Sequence, residues 1–446
     1  MDAYNFLTVL RRLTIMLGIW ILSIMSNTSF ETQRKHKSLD WLIIFSLMIP
    51  FITLGGIMWG MGVFFKPLET EFGWTRTITS SGYTAFMVCY GISAIFIGRL
   101  LDRYGYRFVL LLAAFGTGGG IILLSQVQDI NQFRIFMIIS GLAIGGAFIG
   151  PTTVGQQWFS QRRGHVLGII TSGFGIGAAF FPPLLNHIIY NYGWRRGYVV
   201  LGSFILVSIL ASVITLGSVS DKEKPLKKRQ SNVEMQSVVR GWSVRQIIRT
   251  PQFILLFVGG ALGTIGFSMI QVHLVPYATD LGISPASAAT AMALTGGLSI
   301  PIRLGIGFVE KKTGWHKILV AAHFLMAISI ILLINLDSLP ILYSFAVIFG
   351  LGLAALAPGI PGLLGTYFGM GSLGTIVGLT IGGGQITSGL LGPYIGGASY
   401  DATGSYFIAL VITITLLSIA TIMLFIARHP PVIEKESAES YNKKAN

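Results

Sequence analysis

Long apolar runs separated by short polar stretches dominate the chain. A helix that crosses a bilayer needs about 20 apolar residues. Twelve runs reach that length: 42–65, 82–101, 108–126, 133–154, 164–188, 197–217, 251–278, 285–308, 316–335, 340–364, 373–396 and 405–427. One connection is long and polar. From Ser218 to Thr250 it carries Lys222, Lys224, Lys227, Lys228, Arg229, Arg240, Arg245 and Arg249. It divides the helices into six plus six. The expected fold class is an all-α membrane protein with twelve transmembrane helices in two six-helix bundles. The layout expected is an interfacial or cytoplasmic segment at 1–41, a first bundle at 42–217, a basic linker at 218–250, a second bundle at 251–427 and a tail at 428–446.

The two halves repeat. A shift of 209 residues places Val63 on Val272, Pro67 on Pro276, Gly73 on Gly282, Gly98 on Gly307 and Gly105 on Gly314. It also places Leu110 on Leu319, Gly141 on Gly350, Gly150 on Gly359 and Phe159 on Phe368. One constant offset across four helices is hard to obtain by chance. Two related bundles imply a site near the midplane between them, with the bundles rocking around it.

Composition agrees with a membrane protein: 52% of residues are hydrophobic, only 11% are charged, and 56 are glycine. Glycine at that level suits close helix packing. The net charge of +14 would suit a nucleic-acid partner if it were spread over a surface. Instead it gathers in loops on one side, so no nucleic-acid partner is expected. That side holds Arg99, Arg103, Arg107, Arg162, Arg163, the eight basic residues of the linker, Lys311, Lys312 and Lys317. The other side holds Lys66, Arg76, Arg134, Arg195 and Arg196. By the positive-inside rule the first side is cytoplasmic, with both termini. The expected location is the inner membrane of a bacterial cell. Cys89 is the single cysteine, which excludes an intrachain disulfide and a cysteine-rich metal site. In the first forty residues, Arg11 and Arg12 precede an apolar run, Leu13 to Met25. It is short for a span. A signal-peptide core, an interfacial helix and an upstream extension all fit, and an interfacial segment is preferred.

The loop after the second helix reads GRLLDRYGYR, Gly98 to Arg107. It resembles the signature loop of the major facilitator superfamily, which implies that family's fold. Gly98 and Gly105 permit close approach, and Asp102, Arg103 and Arg107 supply charges for a latch between bundles. An ordinary basic loop is the plainer reading. In the second half Lys311 stands at the Asp102 position beside Glu310, so the second latch is altered. Three further stretches narrow the likeness: GVFFKPLETEFGWTRTITS (Gly62 to Ser80), WFSQRRGHVLGIITSGFGIG (Trp158 to Gly177) and HLVPYATDLGISPASAA (His273 to Ala289). With an arginine in the eighth helix, they resemble the monocarboxylate porter branch and its oxalate:formate antiporter-like members. The likeness implies a carrier of organic anions.

Arg303 is the one basic residue expected inside a span, and its repeat partner is Ala94. A central arginine costs at least about 2.5–3.5 kcal/mol to insert and usually faces a cavity. No acidic residue lies well inside a helix to neutralise it, so the expected partner is an anionic substrate. A guanidinium grips a carboxylate by two parallel hydrogen bonds. A side chain snorkelling toward the cytoplasm is the competing reading. Animal members of the branch carry a lysine in the first helix, where Trp59 stands, and an acidic residue where Ser299 stands. Oxalate:formate antiporter-like members carry a second basic residue in the eleventh helix, which is neutral here near Gln385. One fixed charge suits one carboxylate. Trp59, Tyr83, Tyr90, Gln156, His273, Ser299 and Gln385 complete the candidate lining, although aromatics are also ordinary packing residues. Phe64, the repeat partner of His273, is a further aromatic candidate. His273 could carry a proton or simply pack. His323 is expected to be structural. GLLGPYIGG, Gly389 to Gly397, resembles a glycine-proline motif of drug:proton antiporters but lies in the eleventh helix, where close packing explains it.

The chain lacks HExxH and a phosphate-binding loop, so neither a zinc peptidase nor an ATP-driven pump is supported. A receptor would need neither repeat nor latch. The expectation is a transporter and not an enzyme, without metal or cofactor, and monomeric in the lipid bilayer. It would move a small organic anion, a monocarboxylate, by alternating access with protons as a second cargo. Anion exchange or carriage of another organic solute are the alternatives.

Overall fold

In a computed structural model, the residues described are 34–159, 163–220, 243–369 and 373–427. The segment 1–33, most of the basic linker and the tail lie outside them, as do the side chains of Gly98, Asp102 and Gln156. By contact the chain divides into Met1–Ile43 and Ile44–Asn446. The described part of the first unit is the opening of the first helix. Apart from the opening of the first span, everything below concerns the second unit.

The architecture is all-helical among the described residues. Ten helical stretches are long and apolar enough to cross a membrane. One of them, Pro285–Ile334, has 50 residues and holds two spans that meet at Gly314. Leu373–Thr403 is too glycine-rich to count by hydropathy but is a continuous 31-residue helix. The spans therefore number twelve, and they are referred to in chain order. Spans one to six are Arg34–Phe72, Arg76 to the Gly105 kink, that kink to Gln126, Ile130–Trp158, Arg163–Tyr192 and Trp194–Ser220. Spans seven to twelve are Pro251–Asp280, Pro285 to the Gly314 kink, that kink to Ile334, Leu339–Phe368, Leu373–Thr403 and Phe407–Ile426.

Side chains start the helices where their backbone donors would otherwise be orphaned. Thr75 accepts from the Ile78 amide, Asp129 from those of Asn131 and Gln132, and Thr250 from that of Phe253. The tight connections between spans two and three, and between eight and nine, turn on Gly105 (φ 77°) and Gly314 (φ 75°). Only glycine adopts that backbone without strain. These two are repeat partners, so the backbone itself obeys the 209-residue offset.

Packing obeys the same offset. A Cβ at Gly141 would strike the carbonyl of Phe86, and one at Gly350 the carbonyl of Thr295. Both members of each contact are repeat partners, so the two six-helix bundles are pseudo-symmetric. Large apolar side chains such as Phe96, Phe115, Ile214 and Phe425 are exposed, as expected of faces that meet lipid tails instead of water.

The halves meet along two seams. Span five packs on span eight, where Gly175 lies against Ser299 and Gly296 against Ala178. Span two packs on span eleven, from Thr77 against Gly397 to Ile95 against Gly382. Small residues let both pairs approach backbone to backbone.

Candidate functional site

Past the middle of span eight, toward the basic loops, Arg303 faces span five. The side chain is buried (4% exposed). Its Nη1 donates to the Thr171 carbonyl at 2.8 Å, and the guanidinium lies 5.4 Å from the centre of the Phe174 ring. Its Nε has no hydrogen-bond partner, and no ion pair to a carboxylate is present among the described residues. Ser299, one turn earlier, is buried and donates to the Gly296 carbonyl at 2.6 Å.

Nearer the opposite face, the first and seventh spans meet between the halves. Trp59 is fully buried and its ring packs edge-on to Phe267 at 5.7 Å. Tyr83 donates to Gln271 Oε1 at 2.7 Å. The Trp59 Nε1 and the Gln271 Nε2 have no partners. Tyr90 is buried in span two and Gln385 is partly exposed in span eleven. Gln271 was missed by the sequence reading, because a lone amide in an apolar helix has no spacing signature.

His273 lies two residues beyond Gln271, about 3 Å nearer the face opposite the basic loops. It is buried, with Nε2 2.9 Å from the Pro393 carbonyl and Nδ1 3.1 Å from the Tyr406 hydroxyl. Arg76 Nη1 donates to that hydroxyl at 2.6 Å. A guanidinium only donates, so the tyrosine hydrogen is free for His273 Nδ1. The carbonyl then takes the hydrogen on Nε2, and this assignment leaves the imidazole neutral. Phe64, the repeat partner of His273, stacks on Tyr198 with centroids 3.9 Å apart. Both halves thus place an aromatic contact at this height, and only one makes it polar. His323 bonds the Leu319 carbonyl of its own helix at 2.8 Å, a packing role.

Arg76 anchors a lock across the halves at that face. Its side chain is 6% exposed. Nε meets Glu69 Oε2 at 2.9 Å within the first half, and Nη2 meets Asp280 Oδ2 at 3.0 Å in the second. Lys66 also reaches Asp280, at 2.8 Å. The amides of Arg76 and Thr77, at the start of span two, donate to the Asp401 carboxylate at 3.0 and 2.9 Å. A helix N-terminus is a favourable seat for a carboxylate. Tyr400 stacks on the guanidinium at 4.4 Å. The sequence reading took Arg76 and Lys66 only as loop charges.

In the Gly98–Arg107 loop, Arg103 is exposed with its guanidinium 5.2 Å from the Tyr104 ring, and Arg107 is half-buried. Two small clefts of about 20 and 10 Å³ lie within the second half. The first is lined by Leu256, Leu319 and His323, the second by His273, Tyr277 and Tyr406; neither includes Arg303, Trp59 or Gln271.

The family model of the Major Facilitator Superfamily matches residues 41–336, and the chain belongs to that superfamily. It is similar to the uncharacterized MFS-type transporter YcxA of Bacillus subtilis (strain 168), with 22% identity over 91% of this chain and 98% of that one. It is 23% identical to human monocarboxylate transporter 12 over 90% of this chain and 83% of that one. It is 20% identical to the oxalate:formate antiporter of Oxalobacter formigenes over 62% and 65%. The fold matches the crystal structure of a D-xylose-proton symporter with a TM-score of 0.69, at 14% identity, covering 88% of this chain and 98% of that one. The protein is therefore a multi-pass membrane transporter of a small molecule, and not an enzyme.

Proposed function

We propose that the chain carries a small organic anion, a monocarboxylate, by alternating access between bundles at 42–217 and 251–427, with proton co-transport. The observation that carries this reading is the buried Arg303, whose Nε is unsatisfied and which meets no carboxylate among the described residues. A helical side chain leans toward its helix N-terminus. For span eight that direction is away from the basic loops, which favours a cavity-facing arginine over a snorkelling one. Monocarboxylate transporter 12 and the oxalate:formate antiporter are relatives whose names fit an organic anion. Trp59, Tyr83, Tyr90, Gln156, Ser299 and Gln385 are proposed as lining. Gly98, Asp102, Arg103, Gly105 and Arg107 are proposed as the latch on the basic face.

Proton coupling follows from charge. An anion entering an inside-negative cell works against about 2.3 kcal/mol per 100 mV, and a co-transported proton cancels that charge. His273 is the proposed relay. A proton added at Nδ1 turns an acceptor into a donor, and the Tyr406 hydrogen then loses its partner. Since Tyr406 also holds Arg76, the proton acts on the lock.

The test is uptake of a radiolabelled carboxylate panel into proteoliposomes, with and without an imposed pH gradient. An inward proton gradient is expected to accelerate uptake of at least one monocarboxylate. His273→Gln is expected to bind the anion but lose that acceleration. Unchanged gradient dependence in the variant removes the histidine from the mechanism. Uptake that ignores every pH gradient and needs an anion inside replaces symport by exchange.

The basic face is proposed to be cytoplasmic, with both termini, in the inner membrane of a bacterial cell. A cysteine at Ser231, in a Cys89→Ala background, is expected to resist impermeant thiol reagents in intact cells and to react after lysis. Labelling before lysis reverses the topology.

A further inference from the structure

The interior between the two halves holds three buried N–H donors without partners: Arg303 Nε, Trp59 Nε1 and Gln271 Nε2. Buried donors are normally satisfied, and leaving one unmade is costly. All three come from different spans. Arg303 packs on Phe174, whose carbonyl abuts Gly55, one turn before Trp59. Trp59 packs on Phe267, one turn before Gln271. The Oε1 of Gln271 is taken by Tyr83, so its amide can only donate further.

The donors also converge along the membrane normal. At about 1.5 Å per residue, Gln271 lies about 14 Å, and Arg303 about 27 Å, from the helix ends Asp280 and Pro285 at the opposite face. Side chains lean toward helix N-termini. Span eight begins at that face, so Arg303 leans toward it. Spans one and seven begin at the basic face, so Trp59 and Gln271 lean the other way. The two groups therefore lean toward each other along the membrane normal. One end is cationic and the other is a pair of neutral donors.

We propose that Trp59 and Gln271 form a second anchoring point opposite Arg303, and that the site takes a carboxylate bearing an uncharged oxygen acceptor remote from the carboxylate. This rests on the reading of Arg303 as the carboxylate anchor. A plain alkyl acid leaves Trp59 Nε1 and Gln271 Nε2 unsatisfied. A dicarboxylate would place a second charge where only neutral donors wait. A site built to hydrogen-bond a substrate oxygen discriminates strongly against an analogue lacking it.

The test uses matched acids on the full-length protein in detergent, by titration calorimetry: butanoate against 4-hydroxybutanoate, and hexanoate against 6-hydroxyhexanoate. At one chain length or both, the terminal hydroxyl is expected to raise affinity at least about tenfold. Trp59→Phe combined with Gln271→Leu should erase that advantage, so that each hydroxy acid binds no tighter than its plain partner. If the double variant does not fold, Gln271→Glu keeps the shape, replaces the donor by an acceptor, and should erase the advantage too. Equal affinity within both pairs in the wild type, as expected if water satisfies the donors, overturns the second anchor and leaves Arg303 standing. An advantage that survives in the variants overturns it as well. If no acid binds the wild type, the carboxylate reading fails and this inference falls with it.

Discussion

Arg303→Ala is expected to abolish anion transport while the protein still reaches the membrane at wild-type level. The guanidinium sits in the seam between spans five and eight, bonded only to a backbone carbonyl at Thr171. Removing it breaks no ion pair among the described residues, so the fold loses one hydrogen bond, worth roughly 1 kcal/mol. The repeat partner is already an alanine, the buried Ala94. Binding loses its charge and its bidentate geometry. Truncating one partner of a buried charged pair commonly costs 2–5 kcal/mol, or about 30- to 5,000-fold in affinity. Arg303→Lys keeps the charge without the planar fork, and only weak transport is expected. The measurement is counter-flow in proteoliposomes, with membrane yield scored separately. Full transport by the alanine variant ends the anion-anchor reading.

Arg76→Ala is expected to unlock the face opposite the basic loops. In one step it removes the Asp280 ion pair, the Tyr406 bond and the Tyr400 stack. All three cross between the halves, whereas the Glu69 pair stays within one. Asp280 would keep Lys66, which is partly exposed and so holds weakly, and its hydrogen bond with Tyr400. Breaking a buried pair from one side costs about 3–5 kcal/mol, enough to move a closed seam to a substantially open one. A reporter lies directly behind the lock. Ser80 is buried in span two, facing Gly397 of span eleven. Ser80→Cys in a Cys89→Ala background should react slowly with an impermeant thiol reagent. Adding Arg76→Ala should raise that rate at least about tenfold. An unchanged rate means that apolar packing of spans two and eleven closes the face, and Arg76 is then only a surface tie. Asp401 grips span two through backbone amides, so it survives the substitution and sets a floor to the effect.

Much of this protein is legible in one dimension, and the reason is the solvent. Lipid offers no hydrogen bonds, so each crossing segment must be helical and apolar for its whole length. Run length alone therefore placed the twelve spans to within a few residues at most ends. The 209-residue offset was equally plain, because pseudo-symmetry demands glycine at matching turns; Gly105 and Gly314 take the same left-handed backbone. Arg303 stood out since a charge in hydrocarbon is too costly to be incidental. The ordinary polar residues did not stand out. Arg76 reads as a loop charge and Glu69, Asp280 and Asp401 carry no signal of their own, yet the four form one network, with partners 204 and 325 positions apart. No spacing rule spans such distances; only the docking of the two halves brings them together. Gln271 gains its meaning from Tyr83, 188 positions away, which occupies its acceptor and leaves its donor bare. His273 could have been packing or relay on sequence grounds, and its partners Tyr406 and Pro393 come from the last two spans. The sequence by itself determined which segments cross the membrane and that they repeat. Tertiary structure alone decided which polar groups are paired and which are left unpaired among the described residues, because pairing depends on where the two bundles touch.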